Sequence, residues 1–437
     1  MGPSGPARVL LVHPGVYDHP SARLYPPWGA LCVSDALRLR GIEVRVRDFN
    51  GLEIEGALGH ELKEFAPTIL GVTAKLGHSA RRMRQVVDCA RSMTPSIRIA
   101  AGGPLVASFP SPKMKLWSGI DALFWGDGED AFGHWIHVKQ IASQLIGPLE
   151  AADLDRVGIP TWWDELQEYV QPAQSWPGMG RCGLHISVGR GCTGRCGFCY
   201  LRTQYPTGRL RMLSVCRLMR DLRRLERRLG TMGFYFTDDC IVDRPRQWIL
   251  SFCTALRGIG SPYRLGCSLR LDELQDRALL SRMYSAGFRS FYVGVEAASH
   301  EVRRRLGKGP VKQDVATVLR CARELGFFLR ASIGIGWPGE TAAEMEDTLR
   351  LLDSLPWLVF DAYRYKRLPG TACGSARSVG ATRDRDDEDM TESAFEDYSV
   401  FGRNYSELDD DVVETAWNEL LRRRDYRYER ILGGWPY

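Results

Sequence analysis

The sequence predicts an α/β protein with a Rossmann-like, doubly wound N-terminal domain, a partial (β/α)6 TIM-type barrel and a small, mainly helical C-terminal region. Two alternations of strand and helix patterns indicate this fold, one before residue 145 and one after residue 184. Strands separated by single helices are typical of βαβ units and therefore of parallel sheets. The expected divisions are a first domain at 1–145, a linker at 146–183, a barrel at 184–375 and a helical cap at 376–437.

The first alternation contains five strand patterns with helical patterns between them. The strands are predicted at Val9–His13, Glu43–Asp48, Thr68–Thr73, Ile97–Gly102 and Ala122–Trp125. Five such units form a flavodoxin-like sheet, whose ligand binds beyond the carboxyl ends of the strands, where the strand order reverses. Glycines at those ends let the backbone approach a flat ligand closely. The candidate ligand contacts are Thr73, Leu76, Gly102, Gly103, Gly126 and Glu129.

The segments that flank the barrel have different compositions. Residues 146–183 are rich in proline and tryptophan, whereas flexible tethers are usually rich in glycine and serine, so an ordered linker is expected. After the barrel, the acidic run 384–389 is expected to be exposed, and a helix is predicted near Asp409–Arg423. Aromatic residues of this region are expected to pack on the barrel mouth; they are Tyr398, Phe401, Tyr405, Tyr426 and Tyr428.

Three cysteines lie on a glycine-rich loop after the first strand of the second alternation. Cys192, Cys196 and Cys199 have the spacing Cys-x3-Cys-x2-Cys, and Phe198 and Tyr200 flank the third cysteine. Three thiolates can hold three irons of a cubane cluster and leave the fourth iron open, as a catalytic metal site requires. The alternative is three unrelated buried thiols, but structural cysteines seldom cluster in this way.

The second alternation predicts six strands. They are placed at Leu184–Val188, Gly233–Thr237, Tyr263–Ser268, Ser290–Glu296, Phe327–Gly336 and Phe360–Lys366. Six βα units indicate a partial barrel, and barrels of this type carry their active residues at the carboxyl ends of the strands.

Two resemblances follow from these residues. The cysteine spacing and its flanking aromatics resemble the radical S-adenosylmethionine (SAM) superfamily, and the strand ends before them resemble the cobalamin-binding domain of cobalamin-dependent radical SAM enzymes. Two features depart from the family's pattern, and a third departs only from the wider field of cobalamin proteins. That third feature is the Asp-x-His-x-x-Gly motif of cobalamin mutases, which is missing because Asp18-His19 does not fit it, and radical SAM members commonly lack it too. Ala297 replaces the usual serine, and Trp337 replaces a smaller aliphatic residue.

The resemblance implies roles for residues at the barrel strand ends. Asp239 is the candidate acceptor for the SAM ammonium group, with Asp238 as the alternative. Arg270 is the candidate cation for the SAM carboxylate, because a guanidinium binds a carboxylate through two hydrogen bonds. Glu296 is expected at the ribose hydroxyls or the amine. Further implied cofactor contacts are Phe198, Gly334 and Gly336.

Some of these residues also have purely structural interpretations. Asp239 can cap a helix, and Arg270 can simply pair with Asp272. In the first domain, His78 is a candidate for the lower axial ligand of cobalt, but contact with the nucleotide tail or with solvent is preferred.

The implied cofactors are a [4Fe–4S] cluster, SAM and methylcobalamin. The implied activity is cleavage of SAM to a 5′-deoxyadenosyl radical and transfer of a methyl group from methylcobalamin to an unactivated carbon of a natural-product or peptide substrate. A non-methylating oxidation, cyclisation or rearrangement is the main alternative. A tRNA methylthiotransferase would need three cysteines in the first domain, where only Cys32 and Cys89 lie. A non-catalytic cluster protein for electron transfer or sensing is the remaining class.

Composition restricts the partners. The net charge of +5 is small for 437 residues and gives no strong case for nucleic acid or a membrane surface. The N-terminus lacks a signal-peptide pattern, and no apolar run is long enough to span a bilayer. The cysteines outside the loop are scattered, which is typical of free thiols in a reducing cytoplasm. We therefore expect a cytoplasmic enzyme that receives electrons from a donor such as flavodoxin or ferredoxin.

Overall fold

The computed structural model describes residues 7–15, 25–138, 144–151, 153–172, 182–375 and 406–432. Contacts divide these residues into two compact units. The first contains the chain up to Ala152 together with Tyr200–Thr207, and the second contains the other described residues. The domain boundaries expected from the sequence stay predictions. Some predictions concern residues outside the described ranges, namely Asp18-His19, 384–389, Tyr398, Phe401 and Tyr405.

A parallel sheet of six strands forms the centre of the first unit. The strands are β1 (Arg8–His13), β2 (Glu43–Asp48), β3 (Ile69–Thr73), β4 (Arg98–Gly102), β5 (Ala122–Gly126) and β6 (Gln144–Leu149). Their order is β2-β1-β3-β4-β5-β6, so the order reverses between β1 and β3. The first five strands were predicted to within two residues. The sixth was not, because it contains Gly147-Pro148, a turn-like pair that is tolerated on an edge strand.

Helices cover this sheet as the doubly wound pattern predicts. They are α1 (Trp28–Arg38), α2 (Ile54–Glu64), α3 (His78–Met93), α4 (Pro104–Ser108), α5 (Glu129–Trp135) and α6 (Leu201–Gln204). Helix α1 contacts α5, and α2 contacts α3. A short 3-10 turn at Lys115–Trp117 follows α4. Helix α4 begins at Pro104, whose fixed φ suits a first helical position.

The second unit contains an open, mainly parallel sheet. The strands of this sheet are β7 (Gln171–Pro172), β8 (Cys182–Ile186), β11 (Gly233–Phe236), β12 (Arg264–Arg270), β13 (Phe288–Glu296), β14 (Phe328–Ile335) and β15 (Val359–Arg364). Two further strands, β9 (Gly189–Arg190) and β10 (Arg211–Met212), form a small separate ribbon. The sheet order is β15-β14-β13-β12-β11-β8-β7, and only the edge strand β7 is antiparallel. The six predicted strands are present in sequence order, so the predicted partial barrel is confirmed.

Eight helices in the described part of the second unit connect or cover these strands. They are α7 (Val215–Leu229), α8 (Gln247–Gly258), α9 (Arg277–Ser285), α10 (His300–Arg305), α11 (Val315–Glu324), α12 (Ala342–Asp353), α13 (Ala372–Ser375) and α14 (Asp410–Arg427). Helix α14 packs on α12 and β15 through buried Val413, Trp417 and Leu420. Tyr428 is buried and donates to Asp361, while Tyr426 is exposed. None of the helices in the described ranges has the length and hydropathy needed to cross a bilayer.

A buried carboxylate attaches the segment before the barrel to α7. Asp221 accepts hydrogen bonds from Arg217 Nε at 2.8 Å and from the Ile159 amide at 3.1 Å. Arg217 also donates to the carbonyl oxygens of Asp155 and Val157 at 2.6 and 3.1 Å. This network holds residues 153–159 against α7, which agrees with an ordered rather than a flexible segment.

We expect Arg217→Ala to lower the free energy of unfolding by about 3 kcal/mol, since it leaves Asp221 buried with its main partner removed. The measurement is the midpoint of chemical denaturation. Arg220→Ala, an exposed arginine on the same helix, is the matched control and should change the midpoint little. Equal midpoints for both variants would contradict this account of the network.

Candidate active site

The cysteine loop is attached to the barrel by a carboxylate at the end of β11. Asp238 accepts hydrogen bonds from the amides of Val188 and Gly189 at 2.8 and 2.9 Å, and from Ser187 Oγ at 2.9 Å. Burial raises the pKa of Asp238 to about 6, although these hydrogen bonds oppose the rise. Because its oxygens are occupied by the residues that lead into the loop, Asp238 is a support for the loop.

A second attachment lies inside the loop, between the second and third cysteines. The Gly197 amide donates to Leu306 O at 2.9 Å, and Gly197 O accepts from the Cys373 amide at 2.8 Å. Gly307 also approaches the loop, since a methyl group added to it would lie 2.6 Å from Arg195 O. The loop is therefore held on two sides, by the residues that directly follow α10 and by α13.

Two of the three thiols converge beside a glycine. A methyl group added at Gly194 would lie 3.3 Å from Cys192 Sγ and 3.7 Å from Cys196 Sγ. The Gly194 amide also donates to Cys192 Sγ at 3.3 Å. A side chain at residue 194 would occupy the space beside both sulfurs, so the glycine keeps that space open.

The electrostatic surroundings favour a thiolate at the first cysteine. The pKa of Cys192 is lowered to about 6, mainly by a hydrogen bond from the Cys240 thiol. The Gly194 amide and the positive charges of Arg270 and Lys308 add to this effect, and burial opposes it. Burial raises the pKa of Cys196. Thiolates are the form that binds iron, so Cys192 is prepared for a metal at neutral pH.

These observations fit an iron–sulfur cluster. Among the described residues no three His, Cys, Asp or Glu side chains surround one ion position. In a cubane each cysteine binds a different iron, so its ligands need not surround one position. Arg270 and Lys308, whose charges act on both Cys192 and Cys196, would partly compensate the negative charge of such a cluster.

Arg270 lies at the end of β12 and has two directions of contact. Its Nε and Nη2 donate to Asp272 Oδ1 and Oδ2, each at 2.9 Å. Its Nη1 lies 3.0 Å from the position that a methyl group on Gly194 would take. Arg270 therefore does pair with Asp272, and this ion pair leaves Nη1 directed toward the cysteine loop. Contact between Arg270 and the SAM carboxylate stays a prediction.

Glu296 forms a buried network at the end of β13. Its Oε1 accepts from Lys308 Nζ at 2.8 Å, and its Oε2 accepts from Ser332 Oγ at 2.7 Å. The backbone φ of Glu296 is +69°, an uncommon value for a residue with a side chain and one that often marks a functional site. Gly294 leaves room for the pair, since a methyl group there would lie 2.8 Å from Lys308 Nζ.

Sequence reasoning missed Lys308. It follows α10 in the tripeptide Gly307-Lys308-Gly309, and the two glycines were its only local signal. Its partners come from β13 and β14, which are distant in sequence. Lys308 brings a cation to both the cysteine loop and Glu296.

Asp239 differs from its neighbour Asp238 because it is exposed to solvent. The surrounding protein nevertheless removes part of its hydration, and this raises the pKa of Asp239 to about 7. The negative charges of Cys192 and Asp238 contribute to the rise. Since the side chain reaches solvent, water limits this rise. An exposed carboxylate beside the first cysteine suits the predicted role as acceptor for the SAM ammonium group.

An aromatic cluster adjoins the loop. The ring of Trp337 lies 5.0 Å from Phe198 and 5.4 Å from Tyr365, measured between ring centroids. Ala297 belongs to the same apolar cluster, so a small side chain at 297 and a large one at 337 occur together in it. Trp337 also occupies the space beside Gly334, where a methyl group would overlap its ring. A contact between Gly334 and adenosine stays a prediction.

The loop after β14 contains a buried carboxylate that titrates near neutral pH. Glu340 is 2 % exposed, and its Oε2 accepts from the Trp337 amide at 3.0 Å. Burial raises the pKa of Glu340 to about 7, against the hydrogen bonds from the Trp337 and Gly336 amides. Gly336 itself has a φ of +74° and faces Val413 of α14.

We expect Glu340→Gln to remove part of the pH dependence of stability. The folded chain holds this proton up to about pH 7, whereas the unfolded chain releases it near 4.5. The bound proton therefore stabilises the folded chain fully below pH 4.5. This stabilisation is lost as the pH rises through 7, which lowers the free energy of unfolding by about 3 kcal/mol. Denaturation midpoints at pH 5 and pH 8 measure it. Glu346→Gln, an exposed position on α12, should leave the wild-type dependence unchanged; a Glu340→Gln profile equal to wild type would contradict the assignment.

In the first unit, the predicted contacts lie at the carboxyl ends of β3, β4 and β5. Thr73 pairs with Gly102, and Leu76 packs on the hydrophobic core. A methyl group added at Gly103 would lie 2.6 Å from Ala74 O, and one at Gly126 would overlap Leu149 O. These glycines thus allow neighbouring backbone segments to approach, whatever else they contact. Glu129 is buried and begins α5.

Sequence reasoning also missed a histidine in this unit. His13 ends β1, and its Nδ1 lies 3.0 Å from Asp48 Oδ1 at the end of β2. The sequence shows Asp48 only as the end of a strand, because the pairing between β1 and β2 cannot be read from either segment alone.

Comparison with known proteins gives two family matches. Residues 186–352 match the model of the Radical SAM superfamily, and residues 18–136 match the B12 binding domain. These matches confirm the cofactors predicted from the sequence, which are a [4Fe–4S] cluster, SAM and cobalamin.

Two curated relatives are similar over most of the chain. An uncharacterized methyltransferase, PH0819, of Pyrococcus horikoshii is 25% identical over 312 residues, which are 67% of this chain and 66% of that protein. The anaerobic magnesium-protoporphyrin IX monomethyl ester cyclase of Cereibacter sphaeroides is 22% identical over 380 residues, 79% of this chain and 59% of that protein. The chain thus spans about two thirds or less of the length of these relatives.

Similarity to solved structures supports the fold. One of these structures is the radical SAM methyltransferase TsrM from Kitasatospora setae with cobalamin and a [4Fe–4S] cluster bound, which has a TM-score of 0.68 and 18% identity. The similarity covers 85% of this chain and 77% of that one. It supports the arrangement of a B12-binding sheet followed by a partial barrel.

Proposed function

Because this chain joins a B12-binding domain to a radical SAM domain, we propose that it is a cobalamin-dependent C-methyltransferase acting on an unactivated carbon of a natural-product or peptide substrate. The observation that carries the proposal is the pairing of the two domains in one chain. The name of the Pyrococcus relative also supports a methyltransferase. We further propose a cytoplasmic site of action and a flavodoxin or ferredoxin as the electron donor.

The residues of the barrel have distinct tasks in this proposal. Cys192, Cys196 and Cys199 would hold the cluster, which after reduction by the electron donor would supply the electron that cleaves SAM. Asp239 binds the ammonium group of SAM, because it is a carboxylate beside the first cysteine. Arg270 binds the carboxylate group through Nη1, the nitrogen that Asp272 does not engage.

Further residues keep this site in one conformation. Asp238 and Gly197 hold the loop at its start and between its second and third cysteines. Lys308 holds the side chain of Glu296 in place through the ion pair of 2.8 Å. The aromatic cluster around Trp337 excludes water from one side of the loop, which protects a reactive radical from side reactions.

A second candidate function is a radical reaction without methylation. The similarity to a cyclase favours it, since the name of that relative describes ring formation rather than methyl transfer. The two functions differ in what happens to the methyl group of SAM.

The test uses this difference and needs no substrate. The chain is reconstituted anaerobically with iron, sulfide and hydroxocobalamin, reduced, and incubated with SAM carrying a deuterated methyl group. A methyltransferase should yield cobalamin that carries the deuterated methyl group, detected by mass spectrometry. Release of 5′-deoxyadenosine without any labelled methylcobalamin would contradict methylation and favour the second function.

A further inference from the structure

Three strand ends of the first unit bring polar groups together where the sheet order reverses. His13 ends β1 and lies opposite Asp48 in the register of β1 and β2. Lys75 follows the end of β3 by two residues, on the other side of β1. The charge of Lys75 acts on His13, and that of Asp48 acts on Lys75, so the three groups are neighbours. Open α/β sheets bind their ligands at this reversal.

His13 presents a hydrogen-bond acceptor that has no partner. Asp48 accepts at Oδ1 from His13 Nδ1, and the Asn50 amide and side chain hold the same carboxylate at 3.0 and 3.2 Å. Burial lowers the pKa of His13, so its ring is neutral. With the proton on Nδ1, Nε2 carries the lone pair, and it is buried without a hydrogen-bond partner in the described residues. A buried acceptor of this kind is usually satisfied by a donor, and a ligand hydroxyl is one group that can supply it.

Lys75 presents a cation near this histidine. It is half-buried, and loss of hydration lowers its pKa. No hydrogen bond or ion pair joins it to another residue in the part of the chain that the structure describes. Two residues later, α3 begins at an N-cap glycine, Gly77, with no capping side chain and no acidic residue in its first turn. A free cation beside the N-terminus of a 16-residue helix favours an anion.

We propose that Lys75 and His13 bind the nucleotide loop of cobalamin. The phosphodiester of that loop is an anion, whereas the corrin side chains are neutral amides, so the phosphodiester is the group that matches Lys75 and the start of α3. The ribose beside the phosphodiester carries a hydroxyl that can donate to His13 Nε2. Asp48 acts as the positioning residue, because it fixes the tautomer and the orientation of the imidazole. The inference rests on the proposed function only for the identity of the cofactor.

The test compares two probes that differ in the nucleotide loop. Hydroxocobalamin contains the phosphodiester and the ribose, and cobinamide lacks both. Binding of each to the full chain is measured by equilibrium dialysis for the wild type, Lys75→Met, His13→Ala and, as a matched control, the exposed Lys113→Met. Lys75→Met should weaken the binding of hydroxocobalamin about tenfold or more, because a charge-assisted hydrogen bond is lost. The same variant should bind cobinamide as tightly as the wild type. His13→Ala should show the same selectivity with a smaller loss.

The outcomes separate this inference from the proposed function. Wild-type binding of hydroxocobalamin with a selective loss in Lys75→Met supports both. If Lys75→Met loses affinity equally for both probes, or for neither, the inference is overturned and the proposed function is unaffected. A His13→Ala variant that loses both probes while Lys75→Met stays unchanged also overturns it. A wild type that binds neither probe overturns the cobalamin assignment itself.

Discussion

Replacement of Cys192, Cys196 or Cys199 by alanine is expected to abolish formation of 5′-deoxyadenosine from SAM. Each thiol is assigned to one iron, so a missing thiol leaves that iron without a protein ligand. The iron content of the anaerobically reconstituted protein should fall from about four per chain toward background. The rate of SAM cleavage should fall by at least about a thousandfold, since the cluster is the source of the electron.

Cys216→Ala is the matched control for these variants. Cys216 is an exposed cysteine on α7, outside the loop. It should keep both the iron content and the SAM cleavage of the wild type. A loop variant that retained a full cluster and cleaved SAM would show that the assigned thiols are not the ligands.

Two adjacent aspartates are expected to fail in different ways, and this is the second large effect. Asp238→Ala removes the acceptor for two buried amides and a hydroxyl at the start of the loop. We expect a loss of about 3 kcal/mol or more in the free energy of unfolding, together with poor cluster loading. Asp239→Asn should keep stability and iron content but weaken SAM binding about tenfold, because an exposed carboxylate loses its charge-assisted hydrogen bond.

The measurements are denaturation midpoint, iron content and SAM affinity for each variant. Each aspartate serves as the control for the other, since both belong to the same turn after β11. If Asp239→Asn lost its cluster, or Asp238→Ala kept full stability and lost only SAM affinity, the two roles would have to be exchanged. The sequence alone left this choice open.

Local patterns were sufficient to predict most of the fold. Strands such as Glu43–Asp48 are apolar at alternate positions or throughout, and the glycines and helical stretches between them give the βαβ order. The cysteine spacing similarly identified the loop, because the ligands of a cluster lie within eight residues. The exception was β6, where Gly147-Pro148 interrupts the pattern that a strand normally shows.

The contacts between distant segments could not be predicted in this way. The ion pair of Glu296 and Lys308 joins β13 to the loop after α10, and the pair of His13 and Asp48 depends on the register of two strands. The position of Trp337 against Gly334 depends on how a loop folds back on its own strand. A single sequence shows which residues are available, and tertiary packing decides which of them meet.

The combination of two cofactors in one chain is the central claim, and anaerobic reconstitution with iron, sulfide and hydroxocobalamin tests it most directly. The absorption spectrum of the desalted protein, with iron and cobalt analysis, measures both cofactors at once. We predict about one cobalamin and about four irons per chain, and 5′-deoxyadenosine when reductant and SAM are added. A protein that retained its cluster and cleaved SAM but held no cobalamin would contradict the claim.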